Sequence, residues 1–277
     1  MARQIKKISF FYRGGDPAAR RWEKKISTWL AKAAPGISIN AKNPDAVIVL
    51  GGDGTILEAA RRNQRPFIFG LNLGRVGFLA SAREPKNFLP ALKKFLKGEY
   101  RPVPRMMLAA EVIRDDKKIF SATTLNDFAI ENPIGMVELA VKIEGETIQN
   151  VHGTGLLVAS PTGSTAFNLS AHGPIIVPDI QAMIVSEILD HSLPTPSIIV
   201  KPETRVVVEV TGFRKRGLLM TKDRQEAEVL LISDGEVAFP LRVGDQIKVT
   251  KSPKLVNFAE VEKNYFFKSL KEKFLFR

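Results

Sequence analysis

Residues 46–55 read AVIVLGGDGT. Five apolar residues in a row, closed by glycine, suit a short strand buried on both faces. The segment after the turn, Thr55–Asn63, reads as a helix. A strand–turn–helix of this kind predicts an α/β layer, and the flanking sequence agrees. Ile5–Tyr12 is rich in strand formers. Pro17–Ala34 carries Trp22, Ile26, Trp29 and Leu30 at helical spacing, with Asp16 placed to cap the first turn. Pro66–Leu71 is another apolar run. Pro85–Leu96 reads as an amphipathic helix with Phe88, Leu89, Leu92, Phe95 and Leu96 inward. Strands alternating with helices imply a parallel sheet.

The pattern changes at RPVPR, 101–105, where two prolines mark a plausible boundary. Strands then dominate, at Leu108–Ile113, Ile119–Thr124, Phe128–Ile130 and Val137–Ile143. Asp115-Asp116 and Glu144-Gly145-Glu146 have the composition of hairpin tips. Residues 153–178 read as irregular. Strands resume at Ser197–Val200, Val206–Val210, Glu228–Ile232 and Ile247–Thr250. Phe213–Arg224 is basic and turn-like. Val261–Arg277 has the pattern of a helical tail whose apolar face returns to the first domain. The expected organisation is an α/β domain, 1–104, joined by the tail 254–277, and a β-rich domain, 105–253.

Composition narrows the chemistry. The 277 residues contain no cysteine, which excludes disulfides, thiolate metal sites and a cysteine nucleophile. The three histidines, His152, His172 and His191, make a His-rich metal site improbable on number alone. No apolar run approaches the roughly 20 residues of a membrane helix, and the N-terminus has no signal-peptide h-region. A soluble, cytoplasmic protein is expected. The net charge of +12 favours anionic partners such as nucleotides, polyphosphate or nucleic acid. No basic block with interleaved aromatics accompanies it, so a nucleic-acid partner is not expected.

Three glycine-rich clusters hold the candidate chemistry. Gly51, Gly52, Gly54 and Thr55 follow a strand and open a helix, where backbone N–H groups and the helix terminus suit a phosphate. Asp53 is out of place in an anion site. One reason to tolerate it is chemistry: a carboxylate there can take the proton of a hydroxyl attacking the phosphate. The bland alternative is an Asp bonding its own turn. There is no G-x-x-x-x-G-K-[ST] and no G-x-G-x-x-G, so neither a P-loop nor an ordinary dinucleotide fold is indicated. The second cluster, GLNLGRVGFLA at 70–80, brackets Arg75 between Gly74 and Gly77. It follows the next strand, so both turns should open on one crevice. The bland alternative there is a structural loop with Phe78 in the core. The third, 153–174, has six hydroxyl residues in 22 positions. That suits polar ligand recognition, or else a turn network bonding its own backbone.

With GGDGT at 51–55, NLGRVGFL at 72–79, LNDFAI at 125–130 and SPTGSTAFNLSAHGPI at 160–175, the chain resembles the NAD kinases. The likeness extends through SDGEVAFPL at 233–241 and the tail. It implies an N-terminal α/β domain and a C-terminal all-β domain. It further implies transfer of the γ-phosphoryl of ATP, or of polyphosphate, to the 2′-hydroxyl of the adenosine ribose of NAD, assisted by Mg²⁺. In that likeness Asp53 is the base. Gly51, Gly52, Gly54 and Thr55 form the phosphate turn, with Arg75 beside it, and Phe78 lies near the adenine. Asn126 and Asp127 grip the substrate, and Thr162, Thr165, Ala166, Phe167 and Ser170 fall in the substrate-contacting segment. His152, Thr154 and Glu236 complete the set. A homodimer or homotetramer is implied.

The chain departs from that pattern at Thr154, which stands in place of Asp, at Phe167 in place of Tyr, and at Glu236 in place of Gln. The phosphoryl-transfer end is intact; the nicotinamide end is altered. Three other readings stay open on sequence alone: a kinase of the same fold acting on another acceptor, including lipid or sugar kinases that share GGDGT; a nucleotide sensor without catalysis; and a nucleic-acid-binding module.

Overall fold

A computed structural model describes residues 4–74, 77–190, 195–214, 219–220 and 226–274. The chain divides into two compact units, Met1–Arg105 with Leu255–Arg277, and Met106–Lys254.

The first unit begins with β1 (Lys7–Phe11), α1 (Pro17–Ala33), β2 (Ser38–Ile39), β3 (Ala46–Leu50), α2 (Asp53–Arg62), β4 (Phe67–Leu71) and α3 (Phe88–Leu96). The strands pair in parallel in the order β2-β1-β3-β4. All five residues of β3 are buried, as its uninterrupted apolar run requires. Asp16 caps α1 by accepting the N–H groups of Ala18 and Ala19, and Pro17 occupies the first helical position. On α1, Ile26 and Leu30 are fully buried, while Trp22 and Trp29 close the edge of the core. Phe88, Ala91, Leu92 and Phe95 form the inner face of α3. Phe69 stacks on Phe95 at 4.6 Å, and Trp22 meets Phe88 at 4.8 Å.

The second unit is a β structure. It contains most of β5 (Arg101–Arg114), then β6 (Lys117–Thr124), β7 (Asp127–Glu131), β8 (Val137–Ile143), β9 (Glu146–Ala159), the single-turn α4 (Phe167–Ser170), β10 (Met183–Asp190), β11 (Ile198–Val200) and β12 (Val206–Phe213). It continues through β13 (Leu219–Met220), β14 (Glu226–Ala227), β15 (Val229–Ser233), β16 (Val237–Leu241) and the first part of β17 (Gln246–Glu260). β9 is the hub, pairing antiparallel with β7, β8 and β10. β15 adds outside β7, and β16 outside β15. Inward Val, Leu and Ile side chains from these strands make one continuous core. The tips at Asp115-Asp116 and Glu144-Gly145 have positive φ, the conformation that tight hairpins demand.

The last part of β17 belongs to the first unit and lies parallel to β4, with Phe258 opposite Ile68. The chain ends in α5 (Tyr265–Phe274). Arg83, from the loop after β4, holds this tail through Glu262 at 2.9 Å and Glu272 at 2.7 Å.

Four expectations need correction. α2 starts at Asp53, not Thr55, so the acidic residue is in the first helical turn. The strand expected from Leu108 begins at Arg101, so β5 runs through RPVPR, with Pro102 and Pro104 at exposed positions, although the two units do divide there, after Arg105. Residues 153–159 are strand, not irregular loop. A Cβ on Gly155 would lie 2.2 Å from the Ile130 carbonyl oxygen, and one on Gly153 would lie 2.5 Å from that of Leu189. Neighbouring strands approach too closely for a side chain, so glycines that read as loop punctuation are packing glycines. Finally, β10 and β16 are strands that the sequence pattern did not single out. Most of 213–224, namely 215–218 and 221–224, lies outside the described residues, as does His191.

Asp245 is fully buried in the second unit. It receives Arg114 Nε and Nη2 at 2.7 Å each and the Arg242 N–H at 2.9 Å. Replacing Asp245 with Ala strands the guanidinium, and a loss of about 3 kcal/mol is expected. Urea denaturation of wild type and D245A measures it.

Candidate active site

The strand β3 delivers the chain to Gly51, whose N–H donates to the Leu71 carbonyl at the end of β4. A Cβ on Gly51 would collide with the Thr55 side chain, 2.6 Å away. Gly52 then caps α2 with no side chain of its own. The first N–H groups of the helix therefore have no side-chain cap, and they keep the helix terminus available to an anion. Arg13, from the loop after β1, stands beside this turn: its Nη2 would be 3.6 Å from a Cβ on Gly54. Gly74 reaches the same turn, 3.6 Å from the Gly52 Cα by the same measure. The two glycine-rich clusters of the first unit thus meet. Arg75 lies outside the described residues.

Asp53 does not bond its own turn. Its Oδ2 accepts the Phe78 N–H at 2.7 Å and its Oδ1 accepts the Leu79 N–H at 3.3 Å. The carboxylate therefore ties α2 to a loop 25 residues away. Gly77 is what admits it. A Cβ there would fall 2.1–2.4 Å from the carboxylate atoms. Desolvation raises the Asp53 pKa above the ordinary carboxylate value; the N–H groups of Phe78 and Leu79, then Lys273 and Arg105, oppose that rise. Phe78 is buried in the core of this loop. Its ring packs on Phe266 at 5.7 Å and Phe274 at 6.4 Å, with Lys273 Nζ 5.0 Å above it.

In the second unit, Asn126 and Asp127 are placed by a residue that sequence reading missed. Asp234 accepts the N–H of Leu125 at 3.1 Å and of Asn126 at 2.7 Å, and its own N–H donates to the Asp127 carbonyl at 3.2 Å. Asp234-Gly235 is a turn with positive φ at both residues, and its Asp-Gly composition suits a hairpin tip as well as a site. The 160–165 segment grips the same loop. Ser160 Oγ donates to the Leu125 carbonyl at 2.5 Å, and Ser160 N–H donates to Asn126 O at 2.8 Å. Gly163 packs so closely that a Cβ would be 2.3 Å from Asn126 O. Asn126, Asp127, Thr162 and Thr165 are therefore gathered together.

Much of the hydroxyl-rich cluster is a turn network. Ser160 Oγ receives the N–H groups of Thr162 and Gly163. Ser164 Oγ donates to the Pro161 carbonyl at 2.7 Å, lies 3.1 Å from the Ile176 carbonyl oxygen and receives the Ile176 N–H at 3.0 Å. Thr165 Oγ1 reaches Thr162 O at 3.4 Å. Phe167 and Ser170 are exposed on α4, with Ala166 half-buried before it. His152 is exposed on β9, 4.0 Å from Glu138. Thr154, half-buried on the same strand, lends its carbonyl to the Asn132 N–H. Glu236 is exposed, and its N–H donates to Ser233 O.

Asp127 is 5 % exposed. Burial first, then the charges of Asp234 and Glu131, push its pKa up to about 7. Among the described residues no group of three His, Cys, Asp or Glu is gathered to hold a metal ion.

Residues 14–100 match the ATP-NAD kinase N-terminal domain, and residues 126–261 match the ATP-NAD kinase C-terminal domain. An NAD kinase of Desulforamulus reducens is 36 % identical over 233 residues, which are 83 % of this chain and 76 % of that protein. An NAD kinase of Rhodopirellula baltica is 35 % identical over 237 residues, 84 % of this chain and 72 % of that protein. Among solved structures, yeast NADH kinase complexed with NADH superimposes with a TM-score of 0.85 at 20 % identity, over 99 % of this chain and 89 % of that one. At such identity the likeness is one of fold.

The Gly77–Asp53 contact predicts a coupled pair. Gly77→Ala should destabilise the protein by about 1–3 kcal/mol through overpacking. In the Asp53→Gly background the added methyl has room, and its cost should largely vanish; a double-mutant cycle by urea denaturation measures this. Asp127 predicts a pH effect. Below pH 3.8 the carboxyl is protonated in both states. Between 3.8 and about 7 the unfolded chain releases the proton while the folded chain retains it, so stability falls as pH rises through that window. At about 1.4 kcal/mol per unit the loss is roughly 4 kcal/mol. Asp127→Asn should flatten this slope and be more stable than wild type at pH 8, as read from denaturation midpoints at pH 5 and pH 8.

Proposed function

The chain belongs to the NAD kinase family, and from that premise we propose how its own residues perform the reaction. The enzyme transfers the γ-phosphoryl group of ATP to the 2′-hydroxyl of the adenosine ribose of NAD, giving NADP. Asp53 is the general base. It accepts the hydroxyl proton as the oxygen attacks phosphorus, with no covalent enzyme intermediate. The observation that carries this role is the tether of both carboxylate oxygens to Phe78 and Leu79 N–H groups. It supports a base held in one orientation beside the phosphate turn. Each oxygen keeps a lone pair for the incoming proton. The raised pKa brings the base closer to neutral pH, where proton transfer is most effective.

The N-terminus of α2, with Gly51, Gly52, Gly54 and Thr55, cradles the phosphates, and Arg13 adds positive charge beside it. Arg75 joins them. Mg²⁺ carried by ATP would supply charge neutralisation on the transferred group; we assign it no protein ligands. Asn126, Asp127, Thr162, Thr165, Ala166, Phe167 and Ser170 orient the dinucleotide. His152, Thr154 and Glu236 address its other half, and Phe78 lies near its adenine. The solved yeast relative holds NADH, and an Archaeoglobus fulgidus NAD kinase holds ATP (24 % identity, TM-score 0.72, 97 % of each chain). These fit the two substrates proposed here. The reaction belongs in the cytoplasm, and self-association runs through the β-rich unit. Polyphosphate serves as a second donor if the turn reads only the terminal phosphates.

Asp53→Asn keeps the N–H contacts of one oxygen and removes the basicity. NADP formation from ATP and NAD should fall at least ~10²-fold in kcat, with KM for each substrate changed little. Near-normal turnover would remove Asp53 from the base role.

A further inference from the structure

We propose that Tyr265, on the C-terminal helix, is a positioning residue for the catalytic base, acting on Asp53 through the single peptide group that joins Gly77 to Phe78. The inference rests on the reading of Asp53 as the base. Tyr265 is 4 % exposed. Its hydroxyl donates to the Gly77 carbonyl oxygen at 3.2 Å. That carbonyl and the Phe78 N–H are the two ends of one peptide unit. The N–H donates to Asp53 Oδ2 at 2.7 Å, the shorter of the two bonds to the carboxylate. The connection therefore runs phenol hydroxyl, peptide, carboxylate. A donor on the carbonyl polarises the peptide and strengthens what its N–H gives, as chained hydrogen bonds do.

The arrangement is well supported around its source. Arg83 lies over the Tyr265 ring at 5.4 Å and is itself held by Glu262 and Glu272. Burial, then the Asp53 charge, push the phenol above its ordinary range, so it remains a donor at working pH. Phe266 and Phe274 of the same helix pack on Phe78, the residue that carries the N–H. A tail more than 180 residues away in sequence thereby sets the basicity of Asp53. Other charges face Asp53 too: Lys273 from α5 and Arg105 from β5, with Arg13 beside the turn at Gly54. None of these is altered by removing the phenol oxygen.

The test is Tyr265→Phe in the full-length enzyme, with MgATP and NAD. Weakening the Phe78 N–H bond stabilises the carboxylate less, so the Asp53 pKa rises. The acid limb of kcat should move up by about 0.5 pH unit, kcat below that limb should fall about 3-fold, and KM for NAD and ATP should stay within 2-fold. The ¹³C carboxyl titration of Asp53, assigned with D53N, should shift by the same amount in the ligand-free protein. Site-specific 3-fluorotyrosine at 265, a stronger donor, should shift both midpoints downward, and it needs no loss of packing if Y265F folds poorly. Midpoints that do not move in either variant overturn the proposal. The carboxyl titration reports on Tyr265 whatever D53N does to turnover, so a failure of the base assignment is seen separately.

Discussion

Two backbone N–H groups on one carboxylate organise the first unit. Asp53 sits in the first turn of α2, where a negative charge is favoured by the helix dipole, and it binds the N–H groups of Phe78 and Leu79. This explains how an acidic residue persists in a glycine-rich turn at a helix N-terminus. Its charge is offset by the two N–H groups of a neighbouring loop. The same bonds pull the loop after β4 against the turn after β3. Gly77 is the steric condition for this contact, and Gly74 for the approach at Gly52. In the role of general base proposed for Asp53, a fixed direction matters more than a large pKa shift. Here the direction comes from main chain, which has few alternatives.

The second unit uses the same device. There a carboxylate, Asp234, receives the N–H groups of Leu125 and Asn126, and Ser160 and Gly163 close over that loop. The side chain of Asp127 is left buried beside Asp234 and Glu131, which makes it reluctant to ionise. Such a group is destabilising at neutral pH. Sites that bind polar substrates keep groups of this kind because they hydrogen-bond strongly once a partner arrives.

The hydroxyl-rich 160–170 segment shows how composition misleads about role. Polar residues there read as ligand donors or as a self-bonding turn, and both descriptions apply to different members. Ser160 and Ser164 are consumed by backbone contacts, whereas Phe167 and Ser170 remain exposed. Nothing in residue type separates Ser164 from Ser170. Which hydroxyl is spent inside the turn depends on where the Ile176 backbone returns.

Local pattern was enough for the alternation of β3, α2 and β4, the cap at Asp16, the hairpin tips at 115–116 and 144–145, and the family likeness carried by short motifs. These depend on residues within a turn or a strand of one another, so periodicity and turn chemistry report them. The tertiary structure alone decided that Asp53 bonds Phe78 and Leu79, that Gly153 and Gly155 are strand residues pressed against their neighbours, that Asp234 supports Asn126, and that Tyr265 reaches Gly77. Each joins segments far apart in the chain. The physical reason is one of distance: a hydrogen bond or a steric limit acts over a few ångströms, and only folding brings residues tens or hundreds of positions apart within that range.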